Sequence, residues 1–287
     1  MDSRSLTLAL SCNNNSLTIG KDTPVRLIDY EGLEAPTSQI TTAQMAQGWG
    51  SVVTGKSIAS RNITLTGEIA DTANTPALRQ ELIRLFDPQL AGTLTVDYCG
   101  IQRTIDYYVE SFRFSASNLY DNLQFSLSLL CPQPYLLGID NFGQDMAGIT
   151  KMLAFPFVSR KDKGFITGYR TLRQEANIIN DGDVDTGLEI HFIAFRGPVT
   201  SPSITRVDTG EFLRIETQLA KGDTLIVDTN SGKKRVTLNG DNVFHKIDRQ
   251  SSFFQLSVGD NVLEYNAEEN YTNLNVKLYY TPKYLGV

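Results

Sequence analysis

The sequence predicts a mainly β protein of two domains, with one α-helix in the first. Three observations carry this. Apolar and polar residues alternate with period two through most of the chain, one segment alone has helical spacing, and a Pro- and Gly-rich stretch near the middle loses the alternation. At 287 residues the chain exceeds the usual single-domain size, and 41% hydrophobic with 20% charged residues describes an ordinary globular composition.

Taken in order, MDSRSLTLALSC reads as a first strand. As a signal peptide its apolar core LTLAL is too short, and Asp2 sits where positive charge is wanted. TPALRQELIRLFDPQ reads as the helix. Thr75 is the expected N-cap and Pro76 the first helical residue; Leu78, Leu82, Leu85 and Phe86 recur at helical spacing, and Pro88 stops the run. Around 94–114, alternation on either side of Cys99-Gly100 reads as a hairpin, and LQFSLSLLC at 123–131 as a further strand. CPQPYLLGIDNFGQDMAG at 131–148 marks a domain boundary near residue 137, giving domains 1–137 and 138–287. After it, strands follow one another through Gly-Asp and Asn-Gly turns, the pattern of a β-sandwich.

The chain carries 26 Lys and Arg against 32 Asp and Glu, a net charge of −6, which argues against a basic face that grips nucleic-acid phosphates. An acidic surface past which DNA slides is compatible with it. Cys12, Cys99 and Cys131 are odd in number and form no CxxC, so neither a disulfide framework nor a metal site is supported, and a reducing cytosol fits. No apolar run is long enough to cross a bilayer; MLAFPFV at 152–158 is the densest, and Pro156 interrupts it. A soluble protein with no membrane partner is expected.

The segment with most chemical promise is NDGDVDTGLEI, where Asp181, Asp183 and Asp185 alternate with Gly182 and Gly187 nearby. A calcium loop starting at Asp181 needs Gly at its sixth position and Glu at its twelfth; these are Thr186 and Phe192. A polar turn explains it better, with Asn180, Asp181 and Asp183 bonding nearby backbone and the glycines supplying positive φ. KGD at 221–223, NGDN at 239–242 and VGDN at 258–261 read as turns too. His191 and His245 are the only histidines and no GxSxG elbow accompanies them; Glu211 and Glu216 carry no distinguishing signal as a glycosidase pair. Sugar sites stack rings on aromatics, but the single Trp49 lies in the first half. The adjacent pairs Phe253-Phe254 and Tyr279-Tyr280 each send one ring outward or toward a neighbour. No catalytic, cofactor or metal residue is expected.

The order of the turns carries a resemblance. Asn180 and Asp183 precede Thr186-Gly187, Pro202 precedes Ile204, and Thr209-Gly210-Glu211, Gly222-Asp223, Asp228-Thr229, Asn239-Gly240, Ser252-Phe253 and Gly259-Asp260-Asn261 follow, with YYTPKYLGV to finish. In the first half GWGSVVTGKSIASRNITLTGEI, with Arg61-Asn62-Ile63-Thr64-Leu65, and Cys131-Pro132-Gln133-Pro134-Tyr135 belong to the same series. The chain resembles the distal tail proteins of siphophages, the siphovirus-type tail component family. The resemblance implies a tail-tube-like N-terminal β-sandwich or barrel with one α-helix, six copies of which close a ring around a DNA channel. It implies a galectin-like C-terminal β-sandwich, whose last strand packs either there or back on the first domain. It implies as partners the tail tube, a tail-associated protein, and receptor-binding proteins or fibres, with no cofactor and no catalysis. Two expectations follow: the hairpin at 94–114 supplies a joint between copies, and the channel wall is neutral or acidic so that DNA passes without binding. A carbohydrate-binding adhesin is the alternative, and a tail enzyme the least favoured reading.

Overall fold

A computed structural model describes residues 5–13, 15–45, 49–115, 122–139, 142–146, 149–151, 168–170 and 175–287. The MLAFPFV run lies outside the described residues. The chain divides into two compact units, residues 1–139 with 283–287, and residues 140–282.

The first unit holds β1 (Leu6–Cys12), β2 (Asn15–Ile19), β3 (Val25–Glu31), β4 (Ser38–Gln44), β5 (Ser51–Ile58), β6 (Arg61–Ile69), α1 (Thr75–Leu85), β7 (Ala91–Tyr98), β8 (Ile101–Ser115), β9 (Gln124–Cys131) and β10 (Leu136–Gly138). Seven strands run in the order β8-β7-β1-β2-β3-β6-β9, and β9 pairs back onto β8, so the sheet closes as a barrel. The alternation explains the closure. Leu8 and Leu10, Ile63 and Leu65, Leu94 and Val96, and Phe125, Leu127 and Leu129 all point inward and are fully or almost fully buried. The hairpin turns as expected at Cys99 and Gly100, both at positive φ, with Tyr98 opposite Ile101.

The helix covers one flank. Thr75 is its first residue and Asn74 occupies the cap, one position earlier than expected. The cause is Asp71, whose carboxylate accepts the N–H groups of Ala73 and Asn74 at 3.1 and 3.3 Å and so organises the entry itself. Leu82, Leu85 and Phe86 are buried, and the helix stops at Leu85 ahead of Pro88.

The expected boundary near residue 137 falls inside β10, which joins the first unit's sheet through β8. A short strand, Lys283–Tyr284, pairs with β10 from the other side, so residues 283–287 also belong to the first unit. Arg61 fixes this return. It is 4% exposed and donates to three carbonyls: Nε to Pro134 at 2.7 Å, Nη1 to Gly32 at 3.1 Å and Nη2 to Leu285 at 2.6 Å. Arg103 adds a bond from Nη1 to the Gly286 carbonyl at 2.7 Å and lies over the Tyr284 ring.

In the second unit the strands are β11 (Phe142–Asp145), β12 (Ile149–Lys151), β13 (Gly168–Arg170), β14 (Glu175–Asn180), β15 (Leu188–Ala194), β16 (Val199–Arg206), β17 (Phe212–Arg214) and β18 (Gln218–Leu219). They continue as β19 (Thr224–Asp228), β20 (Arg235–Leu238), β21 (Asp241–Asn242), β22 (Gly259–Glu269) and β23 (Leu274–Tyr280), the returning Lys283–Tyr284 being β24. Among the described residues two larger antiparallel sheets form, β11-β23-β15-β19-β20-β21 and β14-β22-β16-β17 with β18 beside β16, and β12 pairs with β13 in a separate two-stranded sheet. The two larger sheets share one core, to which β15 gives Leu188, Ile190, Phe192 and Ala194, and β22 gives Leu263 and Tyr265. The Asn239-Gly240 turn, both residues at positive φ, joins β20 to β21.

Replacing Arg61 by Ala strands three inward-facing carbonyls. Urea unfolding of the first unit, followed by circular dichroism, is expected to show a loss of about 3 kcal/mol. Arg61→Lys should recover less than half, because an ammonium cannot reach the three acceptors together.

Candidate functional site

The aspartate run folds as a turn, but by a different device from the one expected. Asn180, 1% exposed, is the residue that organises it: Oδ1 accepts the Gly182 N–H at 3.0 Å, and Nδ2 donates to the carbonyls of Val184 and Leu256 at 3.1 and 3.2 Å. Asp181, Asp183 and Asp185 are exposed. Gly182 and Gly187 do not take positive φ, contrary to expectation. Gly187 is required by close approach instead, because a Cβ there would lie 2.5 Å from Cα of Asn230. Among the described residues no group of three or more His, Cys, Asp or Glu side chains is placed to hold a metal ion.

The histidines are on different elements. His191 lies on β15, with Nε2 at 2.6 Å from Oε1 of Glu189 and its ring 4.9 Å from that of Tyr279. Glu189 also accepts from Arg235 Nη2 at 3.1 Å, and Arg235 Nε lies 3.6 Å from Asp228. Burial pushes the Glu189 carboxyl up, but hydrogen bonds and charge from His191 and Arg235 outweigh it and hold the group below its ordinary value. This is a cross-strand ion-pair network over β15, β19 and β20. His245 is exposed on a single 3-10 turn, Phe244–Lys246. Glu211 accepts from Thr209 Oγ1 at 2.9 Å and Ser252 Oγ at 3.3 Å, whereas Glu216 is exposed.

The aromatic pairs split as alternation demands. Phe254 and Tyr280 are buried, the latter donating from Oη to the Ile179 carbonyl at 2.7 Å. Phe253 is partly buried and stacks on the half-exposed Phe244 at 5.7 Å, with Lys234 Nζ 5.2 Å from the Phe253 ring centroid.

The first unit holds the most conspicuous exposed apolar surface. Strands β4 and β5 form a two-stranded ribbon that pairs with no other described strand. On it and its connecting loop Ile40, Met45, Trp49, Val52, Val53 and Ile58 are exposed, Trp49 completely. Val52 and Val53 are consecutive, so the ribbon shows apolar residues on both of its faces. The hairpin expected to join copies lies within the barrel sheet. β7 lies between β1 and β8, while β8 is bonded on its other side to β9 and β10. Barrel closure takes up these stretches of its edges.

The first unit is thus a closed barrel carrying a two-stranded ribbon, and the second is a sandwich. Residues 181–284 match the family model described as siphovirus-type tail component, C-terminal domain. Among solved structures, the chain is similar to the SPP1 Dit protein, described as a paradigm of the hub adsorption apparatus in phages infecting Gram-positive bacteria. That likeness has a TM-score of 0.68 and 14% identity, covering 97% of this chain and 99% of that one. It is also similar to chains of the phage P2 baseplate in its activated conformation with Ca (TM-score 0.52, 12% identity, 99% of each chain). The phage p2 baseplate with Sr gives a TM-score of 0.53 at 11% identity, over 98% of this chain and 99% of that one. Comparison with curated proteins finds no match. The fold is thus shared with tail hub proteins over nearly the whole chain. Among the described residues no helix is long and apolar enough to cross a membrane.

Two measurements check this account. Cys99 is exposed while Cys12 and Cys131 are buried, burial pushing both thiols up, Cys131 to about 11. Alkylation should therefore modify Cys99 within minutes, with the other two reacting only after unfolding. Since the Glu189 carboxyl lies below its ordinary 4.5 when folded, it adds stability above that pH and loses it as pH falls through and below it. Glu189→Gln should therefore flatten the fall in melting temperature below pH 4.5.

Proposed function

We propose that this chain is the distal-tail hub of a siphophage. Six copies close a ring around the DNA channel, join the tail tube to the tail-associated protein, and carry receptor-binding proteins or fibres at the periphery. The ring-forming part is the barrel unit, the outward part is the sandwich, and assembly takes place in the host cytoplasm before the protein reaches the virion tail tip. The observation that carries this reading is the fold shared with the SPP1 hub protein across both units. The net charge of −6 supports a neutral or acidic channel wall that lets DNA pass unbound. The hub turns nothing over: its carboxylates serve turns and ion pairs.

Negative-stain imaging of the purified full chain, alone and with its tail-tube and tip neighbours, should show six-fold rings. Chains that remain single under all these conditions overturn the reading. A second reading, a sugar-binding adhesin, draws on the half-exposed Phe244 stacked on Phe253. Glycan-array binding lost on Phe244→Ala would favour it over the hub.

A further inference from the structure

We infer that neighbouring copies join by strand addition, the β4–β5 ribbon of one copy seating on the free edge of β3 in the next. The inference rests on the ring reading and names its joint.

The acceptor is a seam in the barrel. β3 pairs with β6 from Val25 to Glu31, but with β2 only at Ile19 opposite Val25. From Arg26 onward its second edge therefore has no ladder partner among the described strands. A strand directs alternate main-chain groups to each side, so this edge offers donors and acceptors to another strand. Ile28, Asp29, Tyr30 and Glu31 are exposed there, and the register shift between Leu27 and Asp29 sets Ile28 outward. Beside this edge lies a cleft of about 720 Å³ whose lining includes Leu6, Thr7, Lys21, Arg26, Leu27 and Ile28.

The donor is the ribbon. Two strands without a third are marginal in water, so the ribbon needs a partner to hold its shape. Its strands, SQITTAQ and SVVTGKSI, are rich in Thr, Val and Ile and carry one charge, Lys56. The exposed end of β3 carries Asp29 and Glu31, opposite in sign to Lys56. The ribbon strands are 7 and 8 residues long and β3 is 7, so their lengths match. The occupant is a second copy rather than the chain's own ribbon. Arg61 holds the Gly32 carbonyl, and Ala59 N–H bonds to the Thr37 carbonyl, so the ribbon continues the β3–β6 pair and is held end to end with β3. One donor patch and a different acceptor patch are what a head-to-tail ring requires.

The test uses two versions of the full chain, both with Cys99→Ser, one carrying Ile28→Cys and the other Val53→Cys, each with its own tag and co-expressed. Both positions are exposed and leave the core untouched. A short bis-maleimide should link the two tags, and replacing residues 38–58 by a Gly-Ser turn should abolish both the link and the rings while the barrel's circular dichroism persists. Rings without the link, or rings that survive loss of the ribbon, overturn this joint and leave the hub standing. A link from either version to the tube protein alone also overturns it. Chains that never associate overturn joint and hub together.

Discussion

The first unit depends on one buried guanidinium. Arg61 opens β6, and its three bonds gather the start of the ribbon at Gly32, the segment after β9 at Pro134 and the returning residues at Leu285. A charge taken out of water is tolerated only when its donors are satisfied, and carbonyls arrayed around it serve that purpose. The consequence is geometric. The root of the ribbon cannot shift without breaking a charged bond, so a ribbon that is exposed along its length is still fixed where it leaves the barrel.

Much of the fold was legible because it is written in local pattern. Alternation in LQFSLSLLC places Phe125, Leu127 and Leu129 inside, and the spacing of Leu82, Leu85 and Phe86 marks the helix. What local pattern cannot carry is pairing at a distance. Nothing in TLTVDYCGIQRTIDYY says that β9 will close against β8, yet that closure turns an open sheet into a barrel. The ribbon was not legible: SQITTAQ and SVVTGKSI lack strict alternation, and their having no sheet to join is a matter of pairing at a distance.

The aspartate run teaches a related lesson. Its acidic residues draw attention, but the neutral Asn180 beside them organises the turn because an amide can both accept and donate where it is buried. Gly187 reads as a source of positive φ in sequence and serves as a clearance in space, forced by the backbone of Asn230. Asn261 behaves similarly: wholly buried, it accepts the Ser257 N–H and donates to the Ser257 and Gly259 carbonyls. Side chains of this kind set turn geometry without leaving a signature that distinguishes them from exposed polar residues.

The return of residues 283–287 to the barrel has a consequence for synthesis. A ribosome makes β10 before the entire sandwich and β24 after it, so the clamp between Arg61 and Leu285 closes only once residues 140–282 have been translated. Nascent barrels still on the same messenger lack that last strand. The order of translation thereby holds back a finished subunit until its second half exists.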